Sequence, residues 1–218
     1  PAAMRLGVNS SKGLIDLTIA PLNVGVLYVF AMAGQGIVGA AIAGWSSDNK
    51  FSLMGALRAA SQMVSYEVAM GLTLIGAMMV YGTVRLDDMV RWQGEHTWGI
   101  FVQPLAFILF YTAATAENKR IPFDLPEAES ELVAGYSTEY SGMRYVFFFF
   151  AEWANVFVMC GIASALFLGG WQLPFVEPLT QETSFALQVA GALVFQLKSW
   201  LLVFVVIWIR WTLPRVRV

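Results

Sequence analysis

Glu117, Asp124, Glu127, Glu129, Glu131 and Glu139 fall in one stretch between two long apolar segments, with Arg120 among them. Glu67, Glu152 and Lys198 lie inside apolar segments themselves. A charged group at the centre of a membrane helix costs at least roughly 2.5 to 3.5 kcal/mol on insertion scales, so such residues call for a reason. Carboxylates gathered together and partly out of water can exchange protons near neutral pH, because burial and like-charge neighbours both favour the neutral form. Lys198 and Arg120 would tune such a set by favouring nearby anions. The chemistry these residue types offer is a proton relay through a wet route inside a bundle. Plainer readings stand beside it. A single charge near a helix end can snorkel to the headgroups. Asp124 followed three residues on by Glu127, with Pro126 between, resembles an N-cap with a capping box, and acids suit a first helical turn. Glu127 and Glu131 share a helical face while Glu129 points elsewhere, so capping leaves part of the set unexplained.

The elements that must position these groups are membrane helices. Of 218 residues, 58% are hydrophobic and 13% charged, far from the quarter charged that is usual for a soluble domain. A bilayer core needs about 20 apolar residues per helix. Stretches of that kind run from about Leu22 to Gly44, Met63 to Tyr81, Trp98 to Ala116, Tyr145 to Gly169 and Phe185 to Trp208. The expected fold is an all-α integral membrane protein, a helical bundle forming a single membrane domain over residues 1–218, with an acidic loop at 117–144. Trp45, Tyr81, Trp98, Trp171 and Trp211 stand near span ends, as rings at headgroup level do. Lys50, Arg58, Lys119, Arg120, Arg144, Arg210, Arg215 and Arg217 fall on one side of such a bundle and Arg5, Lys12, Arg85 and Arg91 on the other, which puts the acidic loop on the cytoplasmic side. Acids in a loop on the positive side have the wrong sign for a plain connection. No signal peptide is read at Pro1, and both ends are read as cut.

Other classes fall away. The net charge of -2 and the lack of a basic block leave nothing to hold nucleic acid. One cysteine, Cys160, and one histidine, His96, cannot build a metal site, an iron–sulfur cluster or a bis-histidine haem, so no cofactor is expected on this chain alone. Gly34, Gly36 and Gly39 spell G-x-G-x-x-G, but within an apolar span, where Gly36, Ala40 and Gly44 read as a small-residue packing stripe. The run from Phe147 to Phe150 reads as lipid-facing or core packing, or as lining for an isoprenoid tail.

The loop A-E-N-K-R-I-P-F-D-L-P, from Ala116 to Pro126, continues as E-A-E-S-E-L-V-A-G-Y and then T-E-Y-S-G-M-R-Y. Together with L-N-V-G-V-L-Y at Leu22, S-Y-E ending at Glu67 and W-I-R-W-T-L-P-R at Trp208, it resembles the family of the H-type membrane component of bacterial NADH-quinone oxidoreductase, respiratory complex I, the counterpart of mitochondrial NADH dehydrogenase subunit 1. The resemblance runs over nearly the whole chain. It implies an eight-span subunit of which five are present here, the third to the seventh, with part of the quinone entrance outside this sequence. It implies a translocating NADH:quinone oxidoreductase in the bacterial plasma membrane, with a quinone such as ubiquinone as substrate. The chain would carry no redox centre, FMN and iron–sulfur clusters being on partner subunits. The partners implied are hydrophilic quinone-site subunits and antiporter-like membrane subunits. Carried over residue by residue, Glu67, Glu117, Glu127, Glu129, Glu131, Glu139 and Glu152 would stand in the acidic path, while Arg120 and Asp124 would hold the loop near the quinone cavity.

Two alternatives remain open. The membrane anchor of an energy-converting hydrogenase or ferredoxin-linked complex shares part of the loop. A stand-alone ion transporter would use the same acids but calls for inverted repeats with paired broken helices, which the sequence does not display.

Overall fold

The computed structural model describes residues 9–10, 13–14, 22–126, 135–173 and 185–214. Helices α1 (Gly25–Ser46), α2 (Lys50–Tyr81), α6 (Met143–Phe167) and α7 (Phe185–Thr212) are each long and apolar enough to cross a membrane. Between α2 and α6 lie α3 (Leu86–Glu95), the single turn α4 (Gly99–Val102) and α5 (Pro104–Glu117). The one β pairing among the described residues is a two-residue ladder, Asn9 with Leu14 and Ser10 with Gly13. The fold is therefore helical, as expected.

Helix α2 packs against both α1 and α5, and α6 packs against α5 and α7, so α2 and α5 occupy the middle of the bundle. Val26, Met70, Leu74, Phe110, Met159, Leu166 and Phe167 belong to the shared core. Large apolar side chains such as Met79, Phe101 and Trp211 point outward, as lipid-facing residues do.

Three departures from the apolar pattern matter for the site. Helix α2 begins at Lys50, not near Met63. The apolar run marks the depth of lipid, whereas Lys50, Ser52, Arg58 and Gln62 are acceptable helix formers that carry the helix past it. Asn49 caps it, accepting a bond from the Phe51 N–H at 3.0 Å, and Gly82 ends it at φ +67° with its N–H on Met78 O. The third expected span is broken. Pro104 has no N–H to continue the ladder and disfavours helical geometry at Gln103, whose φ and ψ are -136° and 64°. Lastly, the segment after Gly82 folds as α3, with Asp87 and Asp88 in its first turn and Met89, Val90 and Gln93 inside.

The small-residue stripe on α1 is used in part. Ala40 is buried and Gly44 abuts Ala56 and the Ser52 carbonyl on α2, but nothing lies near Gly36. Of the phenylalanine run, Phe147, Phe149 and Phe150 are exposed, while Phe148 packs edge-on against Tyr136 and Tyr140.

Candidate functional site

Helix α5 ends in a Schellman motif. Lys119 adopts φ +52°, its N–H reaches Ala116 O at 3.1 Å, and the Arg120 N–H reaches Thr115 O at 3.4 Å. The chain then turns again, with the Phe123 N–H on Arg120 O at 2.8 Å across a cis Ile121–Pro122 peptide. This turn does not lie over the surface as loops usually do. Glu117, Asn118, Arg120, Pro122, Asp124 and Pro126 are all buried. A buried turn must find internal partners for its polar groups. Asn118 donates to Ala114 O at 2.7 Å and accepts from Asn155 Nδ2 of α6 at 2.9 Å. Gln62 of α2 donates through Nε2 to Ala116 O and Phe123 O, at 2.7 and 2.6 Å.

The ionisable groups converge on this turn. Glu117, the last residue of α5, is 6% exposed, and its Oε2 is buried without a hydrogen-bond partner. Glu67 of α2 is half-buried and lies within electrostatic reach of Glu117. Glu67 also faces α1, where a methyl group built on Gly34 would stand 3.1 Å from its Oε1. Arg120 Nε stands 3.3 Å from Glu152 Oε1 of α6, with the guanidinium carbon 4.3 Å from the centre of the Trp153 ring. Asp124 is buried in the same turn. A carboxylate with an orphaned buried oxygen, a second carboxylate within electrostatic reach and a paired arginine together make a site that can hold and pass a proton.

The structure thus brings together Glu67, Glu117, Arg120, Asp124 and Glu152. Glu139 is apart. It is exposed and accepts a bond from Asn49 Nδ2 at 2.8 Å, at the α1–α2 corner. Glu127, Glu129 and Glu131 lie outside the described residues. Lys198 is held elsewhere in the bundle. Its ammonium donates to the carbonyls of Leu168, Gly170 and Gln172 at 2.8, 3.0 and 2.9 Å and lies over the Trp98 ring. It clasps the end of α6, and the partners it has there are carbonyls and a ring, not carboxylates. A position midway along a helix says nothing about which neighbouring chain end the side chain meets.

The sequence reading missed Gln62, and it named Gly34 only as part of the G-x-G-x-x-G string. Gln62 carries no charge to draw notice, yet Ser52, Gly55, Ala56 and Ala59 lead to it at helical spacing as one small, buried face. It also missed Gln93, which is buried and gathers the Gly99 and Gly169 N–H groups on its Oε1, at 3.0 Å each.

The family described as NADH dehydrogenase matches residues 2–218. Several relatives are H-type components of NADH-quinone oxidoreductase. The chain is 46% identical over 203 residues to one from Cytophaga hutchinsonii, covering 93% of this chain and 59% of that protein. It is 45% identical over 204 residues to the one from Flavobacterium psychrophilum, with 93% and 60% covered. With one from Geobacter sulfurreducens the identity is 47% over 199 residues, with 91% and 54% covered. The chain therefore spans between half and two thirds of the length of these relatives. Its helices and this match mark an integral membrane protein, and the chain belongs to the NADH dehydrogenase family.

Proposed function

We propose that this chain is part of the membrane subunit of a proton-translocating NADH:quinone oxidoreductase, where it helps form the quinone chamber and couples quinone reduction to proton transfer. The observation that carries the proposal is the Glu117 carboxylate, buried with an orphaned oxygen and within electrostatic reach of Glu67, in a chain whose relatives are named as components of NADH-quinone oxidoreductase. An unsatisfied buried acceptor costs about 1–3 kcal/mol, which favours a role over accident. On this reading a proton resides on Glu117 or Glu67 in turn, and Arg120, paired with Glu152, fixes the turn that carries Glu117. Glu127, Glu129 and Glu131 extend the series along the chain, and Glu139 stands at its exposed end.

On this reading quinone is the substrate and FMN and iron–sulfur clusters sit on partner subunits, while Cys160 and His96 are too few to ligate a cluster within this chain. Hydrophilic quinone-site subunits and antiporter-like membrane subunits are the partners this reading calls for. The membrane is the bacterial plasma membrane, with the acidic loop on its cytoplasmic side.

The test is quinone reductase activity and proton pumping in membranes carrying the full-length protein with Glu117→Gln, and separately Glu67→Gln, with complex assembly followed in parallel. Loss of quinone-linked turnover or pumping with assembly intact supports the relay. Parental rates in both variants would reduce these acids to packing and solvation.

A further inference from the structure

The buried turn is fastened to α2 by a side chain without charge. Gln62 is 7% exposed, and its Nε2 spends both of its N–H groups on carbonyls at the two ends of the turn, Ala116 O at 2.7 Å and Phe123 O at 2.6 Å. The Ala116 carbonyl adjoins Glu117 and already accepts the Lys119 N–H, so the bond acts directly on the helix end that carries the buried acid. The Phe123 carbonyl adjoins Asp124. Arg120 lies between the two fixed points. One helical turn after Gln62, the Tyr66 ring meets the Phe123 ring at 5.8 Å, so the same face of α2 holds the same residue of the turn twice. Gln62 Oε1 is buried and has no hydrogen-bond partner, so the side chain is not held there by balanced satisfaction of both its ends. The contacts it makes are those of its donor.

We propose that Gln62 is a positioning residue: by drawing Ala116 and Phe123 onto α2 it sets where Glu117 and Arg120 stand relative to Glu67 and Glu152, and through that the rate of quinone-linked turnover. This rests on the function proposed above. A glutamine that merely filled space would be replaceable by an apolar side chain of the same length. A positioning residue is not, because a shift of about 1 Å in a reacting constellation can lower a rate by orders of magnitude.

The experiment uses the full-length protein in its assembled complex with Gln62→Met, which keeps length and removes both donors, and Gln62→Asn, which keeps the donors and shortens their reach. Hydrogen–deuterium exchange over residues 116–126 reports the turn itself, whatever the enzyme does. Quinone reductase turnover per assembled complex, with kcat separated from quinone KM, reports the consequence, and NADH oxidation by an artificial acceptor controls for the hydrophilic partners. The expected result is faster exchange in Gln62→Met and a kcat lower by roughly tenfold or more with quinone KM little changed, within what a small misplacement produces. Gln62→Asn should fall between, and carries the same comparison if the methionine variant does not assemble. Unchanged exchange, or faster exchange with turnover per complex intact, would overturn the proposal. Failure of the broader reading looks different: Glu117→Gln and Glu67→Gln would pump and turn over normally while Gln62→Met still lowered kcat.

Discussion

Arg120 Nε stands 3.3 Å from Glu152 Oε1, with the two side chains only 10% and 12% exposed. This contact ties the turn after α5 to α6, so the acid-bearing segment is held between two helices, by Gln62 on one side and Glu152 on the other. Removing one member of a buried pair strands the other's charge, at a cost of roughly 3–5 kcal/mol, whereas replacing both with apolar groups is often near neutral. Glu152→Gln or Arg120→Gln should therefore lower the melting temperature of the assembled complex more than the double change Arg120→Met with Glu152→Leu. Thermal unfolding of all three variants checks this, and a double change that loses as much as the two single changes added together would mean that the pair is not coupled.

Gly34 is where α1 gives room to the Glu67 carboxylate. A Cβ there would approach Oε1 to 3.1 Å, closer than ordinary contact, and the carboxylate must yield by a few tenths of an ångström. Gly34→Ala should then cause a small loss of quinone-linked turnover and Gly34→Val a large one. Gly36→Ala and Gly39→Ala, which meet nothing within 4 Å, should leave turnover unchanged. Steady-state rates normalised to assembled complex separate these cases, and an equal effect at Gly34 and Gly36 would remove Glu67 from the account.

The contrast between Glu67 and Gly34 shows what was legible in the sequence. Ionisable groups inside apolar runs stand out because lipid penalises them, so Glu67 and Glu152 could be selected without a fold, and Glu117 stood out as one of a cluster of acids in the connecting stretch. The glycine that accommodates one of them could not, since its role depends on which helix comes alongside. Spans were readable for the same reason: α1, α6 and α7 lie within a few residues of their apolar runs. The early start of α2 and the α3 segment were not, because a polar sequence is silent on whether it continues as helix. The break before α5 falls at Pro104, inside an apolar run that by hydropathy alone reads as one span. Lys198 stood out as a cation within an apolar run, but the sequence could not show that its partners are backbone carbonyls at the end of another helix.

Lys198→Met accordingly yields a prediction about stability and not about turnover. The ammonium satisfies the carbonyls of Leu168, Gly170 and Gln172, and each buried acceptor left without a donor costs about 1–3 kcal/mol. The variant should assemble poorly or melt at lower temperature, while the complexes that do form turn over quinone at the parental rate. A variant that assembles and melts normally but loses turnover would return Lys198 to the proton path.

Gly55 tests the other anchor of the loop. A Cβ at this position would lie 2.7 Å from Gly135 Cα and 2.8 Å from Tyr136 N, in the 3-10 turn Gly135–Ser137 that packs on α2. Both obstacles are backbone atoms, which no rotamer change can move, and overpacking of this kind costs about 1–3 kcal/mol. The displaced turn would carry Tyr136 with it, weakening the bonds from Ser52 Oγ to Tyr136 O and from Lys119 Nζ to the Tyr136 hydroxyl, at 3.2 and 2.9 Å. Lys119 adjoins Arg120, so strain at Gly55 reaches the acid-bearing turn through a short chain of contacts. Gly55→Ala should lower thermal stability and speed hydrogen exchange over both 116–126 and 135–137. Gly71→Ala and Gly76→Ala, in the same helix with open space around them, should do neither. If Gly55→Ala behaves like those controls, the close approach of the 3-10 turn to α2 is not what holds the loop in place.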